Sequence, residues 1–201
     1  MKLGVLGGTF DPVHVGHLVA AVNARHALGL DRVLLVVANV PWQKVGGRVM
    51  TPAADRLAMV EAAVEGVDGL EASAIEIERG GESYTVDTLR ELQRRHPGAE
   101  LFLVVGADLV GELDTWERSD ELRDLATLAV VRRPGAPTGQ PSGPGTGQET
   151  TWRVANVESP MLDVSSTDLR ARVADGRPLD YLVPAAALRL LRARGLYAGA
   201  R

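Results

Sequence analysis

Apolar residues fall along the chain in two alternating kinds of segment. Leu3 to Leu6, Val33 to Val37, Leu101 to Val105 and Leu128 to Val131 are short runs without regular polar alternation. That is the pattern of strands covered by helices on both faces, not of strands with one wet face. Between the runs, apolar positions recur at helical spacing: Val15, Leu18, Val19 and Val22 share one face, and Leu57, Val60 and Val64 share another. Strands alternating with helices predict an α/β fold built on a doubly wound parallel sheet. Such sheets bind ligands beyond the carboxyl ends of their strands, so chemistry is expected in the loops after Leu6, Val37, Val105 and Val131.

Residues 134–148 read PGAPTGQPSGPGTGQ, a stretch of Pro, Gly and small polar residues that predicts a mobile loop. The remaining chain, a strand-like run from Trp152 to Val157 and two short helices, is too small to hold a core of its own. Val154 to Leu196 therefore reads as the last part of a single domain spanning 1–201, a length that suits one compact unit.

Composition narrows the chemistry. With 45% hydrophobic and 24% charged residues the chain belongs with soluble globular proteins, and with 4% aromatics its core must be aliphatic. The 22 Lys and Arg against 26 Asp and Glu leave a net charge of −4, which argues against a broad surface for nucleic acid; an anionic ligand must be met locally. The absence of cysteine excludes disulfides, thiolate zinc sites and cysteine nucleophiles. No run approaches the roughly 18 apolar residues of a membrane span, and the start of the chain enters a strand-like stretch without a signal-peptide pattern. A soluble, cytoplasmic protein is expected.

After the first strand comes Gly7-Gly8-Thr9-Phe10-Asp11-Pro12-Val13-His14-Val15-Gly16-His17, leading into a helix. Paired glycines let the backbone turn sharply and let a ligand approach main-chain N–H groups, which makes an anion site at a helix start. The stretch lacks a P-loop lysine and the full G-x-G-x-x-G spacing, so neither standard nucleotide fingerprint applies. His14 and His17 fall on one helical face at the anion-binding end, with Gly16 keeping that face open. Read alone, each histidine is as well a residue that merely caps or packs as one that meets the anion. A two-histidine metal site lacks a third ligand at nearby spacing, and Asp11 reads as a helix cap.

Near the other end, Val164-Ser165-Ser166-Thr167-Asp168-Leu169-Arg170 places three hydroxyls at a helix start, with an arginine one turn on. Ser165 or Ser166 suits an N-cap. The first-turn N–H groups favour anions, and Arg170 adds a bidentate charge at the same end. Ordinary capping with a solvated arginine is the plainer reading of this segment by itself.

The Gly7 to His17 string resembles the signature of the H-x-G-H nucleotidyltransferase superfamily, in particular the bacterial nicotinate-nucleotide adenylyltransferases. Val164 to Arg170 resembles its second signature, I-S-S-T-x-[IL]-R, with valine for the usual isoleucine. The resemblance runs from Leu3 to about Leu196, outside 134–148, and implies a Rossmann-like nucleotidyltransferase fold with a small C-terminal helical part. It implies that His14, His17 and Lys44 clamp the reacting phosphates, and that Arg170 with Ser165, Ser166 and Thr167 holds the β- and γ-phosphates of ATP. It places Gly7, Gly8, Thr9, Phe10, Gly106, Asp108 and Arg133 around the ATP. Ser83 to Leu89 resembles the family's S-Y-T-x-D-T-L segment, which implies that Tyr84 and Thr85 offer backbone donors to a pyridine carboxylate and that Trp116 covers the ring. Pro41-Trp42-Gln43-Lys44 departs from the commoner Pro-Pro-His-Lys at Trp42 and Gln43 and keeps the lysine.

The implied reaction moves the adenylyl group of ATP to the 5′-phosphate of nicotinate mononucleotide. Mg²⁺ would be held by ATP phosphates and water, because no carboxylate pair is placed to cage it. Neither nucleic acid nor membrane is an expected partner; a homo-oligomer is compatible with the sequence. The competing readings are the same chemistry on nicotinamide mononucleotide or phosphopantetheine, a nucleotide-binding sensor without turnover, and an NAD-dependent oxidoreductase, which the missing G-x-G-x-x-G disfavours.

Overall fold

The computed structural model describes residues 1–41, 50–132, 152–160 and 162–198. Among them, six strands form one parallel sheet: β1 (Lys2–Gly8), β2 (Arg32–Val37), β3 (Leu70–Ser73), β4 (Glu100–Gly106), β5 (Thr127–Arg132) and β6 (Val154–Glu158). Their spatial order is β3-β2-β1-β4-β5-β6. The chain thus starts mid-sheet, builds outward to β3, then crosses to β4 on the other side of β1. The strand order reverses between β1 and β4, and a doubly wound sheet opens its ligand crevice at that point.

Helices α1 (Val15–Leu28), α2 (Ala53–Val64), α6 (Ser166–Asp175) and α7 (Ala185–Ala193) contribute to one core. The opposite core takes α3 (Ile75–Arg79), α4 (Thr85–Arg95), a 3-10 segment (Ala107–Thr115) and α5 (Ser119–Leu125). Strand β2 shows why the strands read as apolar at successive positions: Val33, Leu35 and Val37 enter the first core, and Leu34 and Val36 the second. Leu169, Leu188 and Leu191 share the first core with Leu6 and Val33.

Two local expectations change. Strand β3, sequence LEAS, is not visible as an apolar run: it is a short edge strand in which only Leu70 is buried. On α1, Val22 is 40% exposed and the buried residues are Ala21 and Ala24. The helix meets β1, β2, β5 and β6, Leu18, Ala20 and Leu28 pack beside these alanines, and the valine falls outside the core. No described helix is long and apolar enough to cross a membrane. The 134–148 stretch lies outside the described residues, as do Trp42, Gln43, Lys44 and Arg133.

Candidate active site

Strand β1 ends in an open backbone. A Cβ built on Gly7 would meet nothing within 4 Å, whereas one on Gly8 would lie 2.9 Å from the Phe10 ring. Gly7 therefore leaves main chain accessible, and Gly8 is required by close packing. Phe10 takes a left-handed conformation (φ 49°) that a bulky side chain adopts only when its surroundings hold it there. Its ring is 2% exposed and packs edge-on against His17, with centroids 4.9 Å apart.

His14 is the N-cap of α1, in extended conformation. Its main-chain N–H donates to His17 Nδ1 (3.2 Å), so that nitrogen carries no proton and the His17 N–H is at Nε2. The two imidazoles stack with centroids 3.7 Å apart. His14 is 8% exposed, and desolvation lowers its pKa to about 4, which leaves it neutral at pH 7. Its Nδ1 is buried without a hydrogen-bond partner. A Cβ on Gly16 would crowd both His14 Nδ1 (3.1 Å) and Val164 (3.2 Å), so the glycine lets the histidine pair meet the segment entering α6. The histidines frame the start of α1 and both line the larger of the two cavities described next.

Helix α6 is tied to this turn across nearly the whole chain. Ser165 caps it, accepting from the Asp168 N–H (3.2 Å). The Ser166 hydroxyl donates to Pro12 O (2.8 Å), and Arg170 Nη1 donates to Asp11 O (2.7 Å). Arg170 also donates to the Thr167 hydroxyl (3.1 Å), so the guanidinium is fixed and not solvated at random. The reading of Asp11 as a helix cap is corrected: His14 holds the cap position, and the Asp11 carboxylate, 2% exposed, accepts from the Tyr197 hydroxyl (2.7 Å).

These elements frame two cavities. The smaller, about 340 Å³, is lined by Thr9, Asp11, His14, Ser165, Ser166, Thr167 and Arg170 among others. The larger, about 570 Å³, is bounded at one end by Gly7, Gly8, Thr9 and the two histidines and elsewhere by Ser83, Thr85, Gly106, Asp108 and Trp116. Thr9 and His14 line both. The Asp108 carboxylate folds back over Gly106, where a Cβ would strike its Oδ1. Trp116 Nε1 is buried without a partner.

The chain matches the cytidylyltransferase-like family model over residues 5–172. It is 43% identical to a protein of Corynebacterium kroppenstedtii over 98% of this chain and 90% of that one. It is 44% identical to a protein of Streptomyces coelicolor over 96% and 100%. Both are named probable nicotinate-nucleotide adenylyltransferases. The chain belongs to this adenylyltransferase family. Its fold is also that of the Plasmodium falciparum nicotinic acid mononucleotide adenylyltransferase solved with NaAD, at TM-score 0.73 and 15% identity, covering 98% of this chain and 97% of that one.

Of the residues that the family pattern singles out, Gly7, Gly8, Thr9, His14, His17, Thr85, Gly106, Asp108 and Trp116 share the larger cavity, and Ser165, Ser166, Thr167 and Arg170 the smaller. Phe10 stands behind the turn, among buried core residues. Tyr84 occupies the N-cap position of α4, and its hydroxyl bonds Glu82 instead of entering the cavity. Lys44 and Arg133 are outside the described residues. Sequence reasoning missed Glu76, Ser159 and Leu162, which also line the larger cavity. The rule that chemistry follows strand ends, extended to the strand-like run ending at Val157, points to the Ser159 loop.

Proposed function

We propose that this chain transfers the adenylyl group of ATP to nicotinate mononucleotide, releasing pyrophosphate and nicotinate adenine dinucleotide, a step of NAD biosynthesis in the cytoplasm. An oxygen of the mononucleotide 5′-phosphate bonds to the α-phosphorus of ATP, and the bond from that phosphorus to the β-bridging oxygen breaks. A phosphate monoester is largely dianionic near pH 7, so the nucleophile needs no general base. The work left to the protein is alignment of two anions and stabilisation of charge on the α-phosphate and the leaving group.

In this reading His17 donates from Nε2 to the α-phosphate, and neutral His14 donates its one N–H beside it without adding charge. Arg170, the N–H groups of the α6 first turn, that of Ser166 included, and the hydroxyls of Ser165 and Thr167 hold the departing pyrophosphate. Lys44 is assigned to the reacting phosphates, and Arg133 to the nucleotide, from the family pattern alone. The N–H groups at the start of α4, from Tyr84 and Thr85, receive the pyridine carboxylate. The ring of Trp116 covers the pyridine.

Among the described residues no His, Asp or Glu cluster is grouped to cage a metal, and the Asp11 carboxylate is already engaged by Tyr197. Mg²⁺ brought in by ATP would be held by phosphate oxygens and water and would supply neutralisation of phosphate charge.

The observation that carries the reading is the pair of cavities meeting at Thr9 and His14, one lined by hydroxyls and Arg170 and the other reaching Thr85 and Trp116. The test is to incubate the purified protein with ATP, Mg²⁺ and nicotinate mononucleotide. Pyrophosphate and dinucleotide should appear in equal amounts; ATP and mononucleotide left unconsumed would reject the assignment.

A further inference from the structure

Arg56 stands on α2, and among the described residues its side chain is one of the most buried, at 1% exposure. Its guanidinium donates to four main-chain carbonyls: Nε to Thr51 (2.9 Å), Nη1 to Thr9 (2.8 Å) and to Ala38 (2.7 Å), and Nη2 to Asn39 (3.0 Å). These carbonyls lie just beyond the carboxyl ends of β1 and β2 and at the approach to α2. Thr9 belongs to the turn that carries the histidines and lines both cavities.

Asn39 leads to the other end of the site. Its N–H donates to the Ser83 hydroxyl (2.8 Å), and its side-chain amide donates to Gly81 O (2.9 Å), immediately before α4. One rigid group therefore links the turn expected to receive ATP to the segment expected to receive the pyridine nucleotide. A trans peptide directs its N–H opposite to its C=O. The hold on Thr9 O thus turns the Phe10 N–H away from Arg56 and fixes the peptide whose left-handed φ shapes the turn.

The geometry points to Arg56 as a positioning residue that sets the distance and angle between the two halves of the site, and so the in-line approach of the two reacting phosphates. This rests on the adenylyl-transfer reading. Arginine is suited to the task because its planar fork presents five donors in fixed directions; a lysine ammonium has three donors and cannot span four carbonyls spread around a plane. Alignment errors of about 1 Å cost up to about a hundredfold in rate. The substrates can still bind to each half separately.

The test compares Arg56→Lys with Met59→Ala, a fully buried position one turn along α2 outside the site. Each variant is assayed at a temperature where it is fully folded by circular dichroism. Arg56→Lys should lose about tenfold to a hundredfold in kcat, with KM for ATP and for the mononucleotide within about threefold of wild type. Met59→Ala should keep its kcat. A kcat for Arg56→Lys within about threefold of wild type, or an equal loss in Met59→Ala, would overturn the proposal.

If Arg56→Lys does not fold, nitrogen NMR of the wild-type arginine side chains decides. Slowly exchanging Arg56 guanidinium signals that shift with α,β-methylene-ATP and, separately, with the mononucleotide support the link; signals that respond to neither overturn it. Failure of the functional reading looks different, because wild type would then release no pyrophosphate while these signals could still report the two halves.

Discussion

The two ends of the site are built in opposite ways. At the phosphate end, hydrogen bonds join residues 154, 159 and 186 positions apart: Ser166 to Pro12, Arg170 to Asp11 and Tyr197 to Asp11. The turn there is buried, Phe10 and Asp11 at 2% exposure and His14 at 8%, and it carries the half-buried His17, Ser166 and Arg170. At the acceptor end the ties run 44 and 42 positions, from Asn39 to Ser83 and Gly81, and Ser83, Thr85 and Trp116 are all half-buried. Charge develops at the phosphate end during the reaction. A set of donors prearranged on that buried turn stabilises the charge with little reorganisation, and can exist only once the chain has closed on itself. The acceptor end has to admit and release a nucleotide, and its partly open walls suit ground-state binding.

This contrast predicts that damage at the two ends separates kinetically. His17→Ala should lower kcat by about a hundredfold or more, as losing a preorganised transition-state donor does, and leave the mononucleotide KM nearly unchanged. Steady-state kinetics with both substrates varied checks it, and an unaltered kcat would break the division of labour. Arg170→Ala should reduce kcat/KM for ATP by about tenfold to a hundredfold, the scale of a charge-assisted hydrogen bond. Wild-type ATP affinity and turnover in that variant would return Arg170 to a purely structural role.

The phosphate end should also be acid-sensitive. His14 has a folded pKa near 4, below its unfolded value of 6.5, so the unfolded chain binds more protons between those pH values. Its contribution favours folding above pH 6.5 and is lost as pH falls toward 4, amounting to about 2 kcal/mol between pH 7 and pH 5. Urea unfolding of wild type and His14→Asn at both pH values checks the sign, since the variant should lose less stability on acidification. The smallest effect is expected at the acceptor end. Trp116→Ala should raise the mononucleotide KM by about fivefold, near 1 kcal/mol of ring stacking, and spare most of kcat.

The sequence makes the chemistry of the phosphate end easier to read than its construction. Strands covered on both faces declare themselves by unbroken apolar runs, and the Gly7 to His17 and Val164 to Arg170 strings are contiguous, so both are legible. Their meeting is implied by the family resemblance, not by spacing. Arg56 is hidden because a lone arginine on an amphipathic helix looks the same whether it faces water or four carbonyls. Asp11 reads as a cap because its partner, Tyr197, lies at the far end of the chain. Strand β3 escapes notice because four residues at a sheet edge need little apolar character.

The most direct test of the central claim is the ratio of kcat/KM for nicotinate mononucleotide to that for nicotinamide mononucleotide, measured with ATP and Mg²⁺ by pyrophosphate release. An acceptor end that offers the N–H groups of α4 to a carboxylate predicts at least about a tenfold preference for the acid, the scale of one charge-assisted hydrogen bond. Equal values, or a preference for the amide, would contradict it.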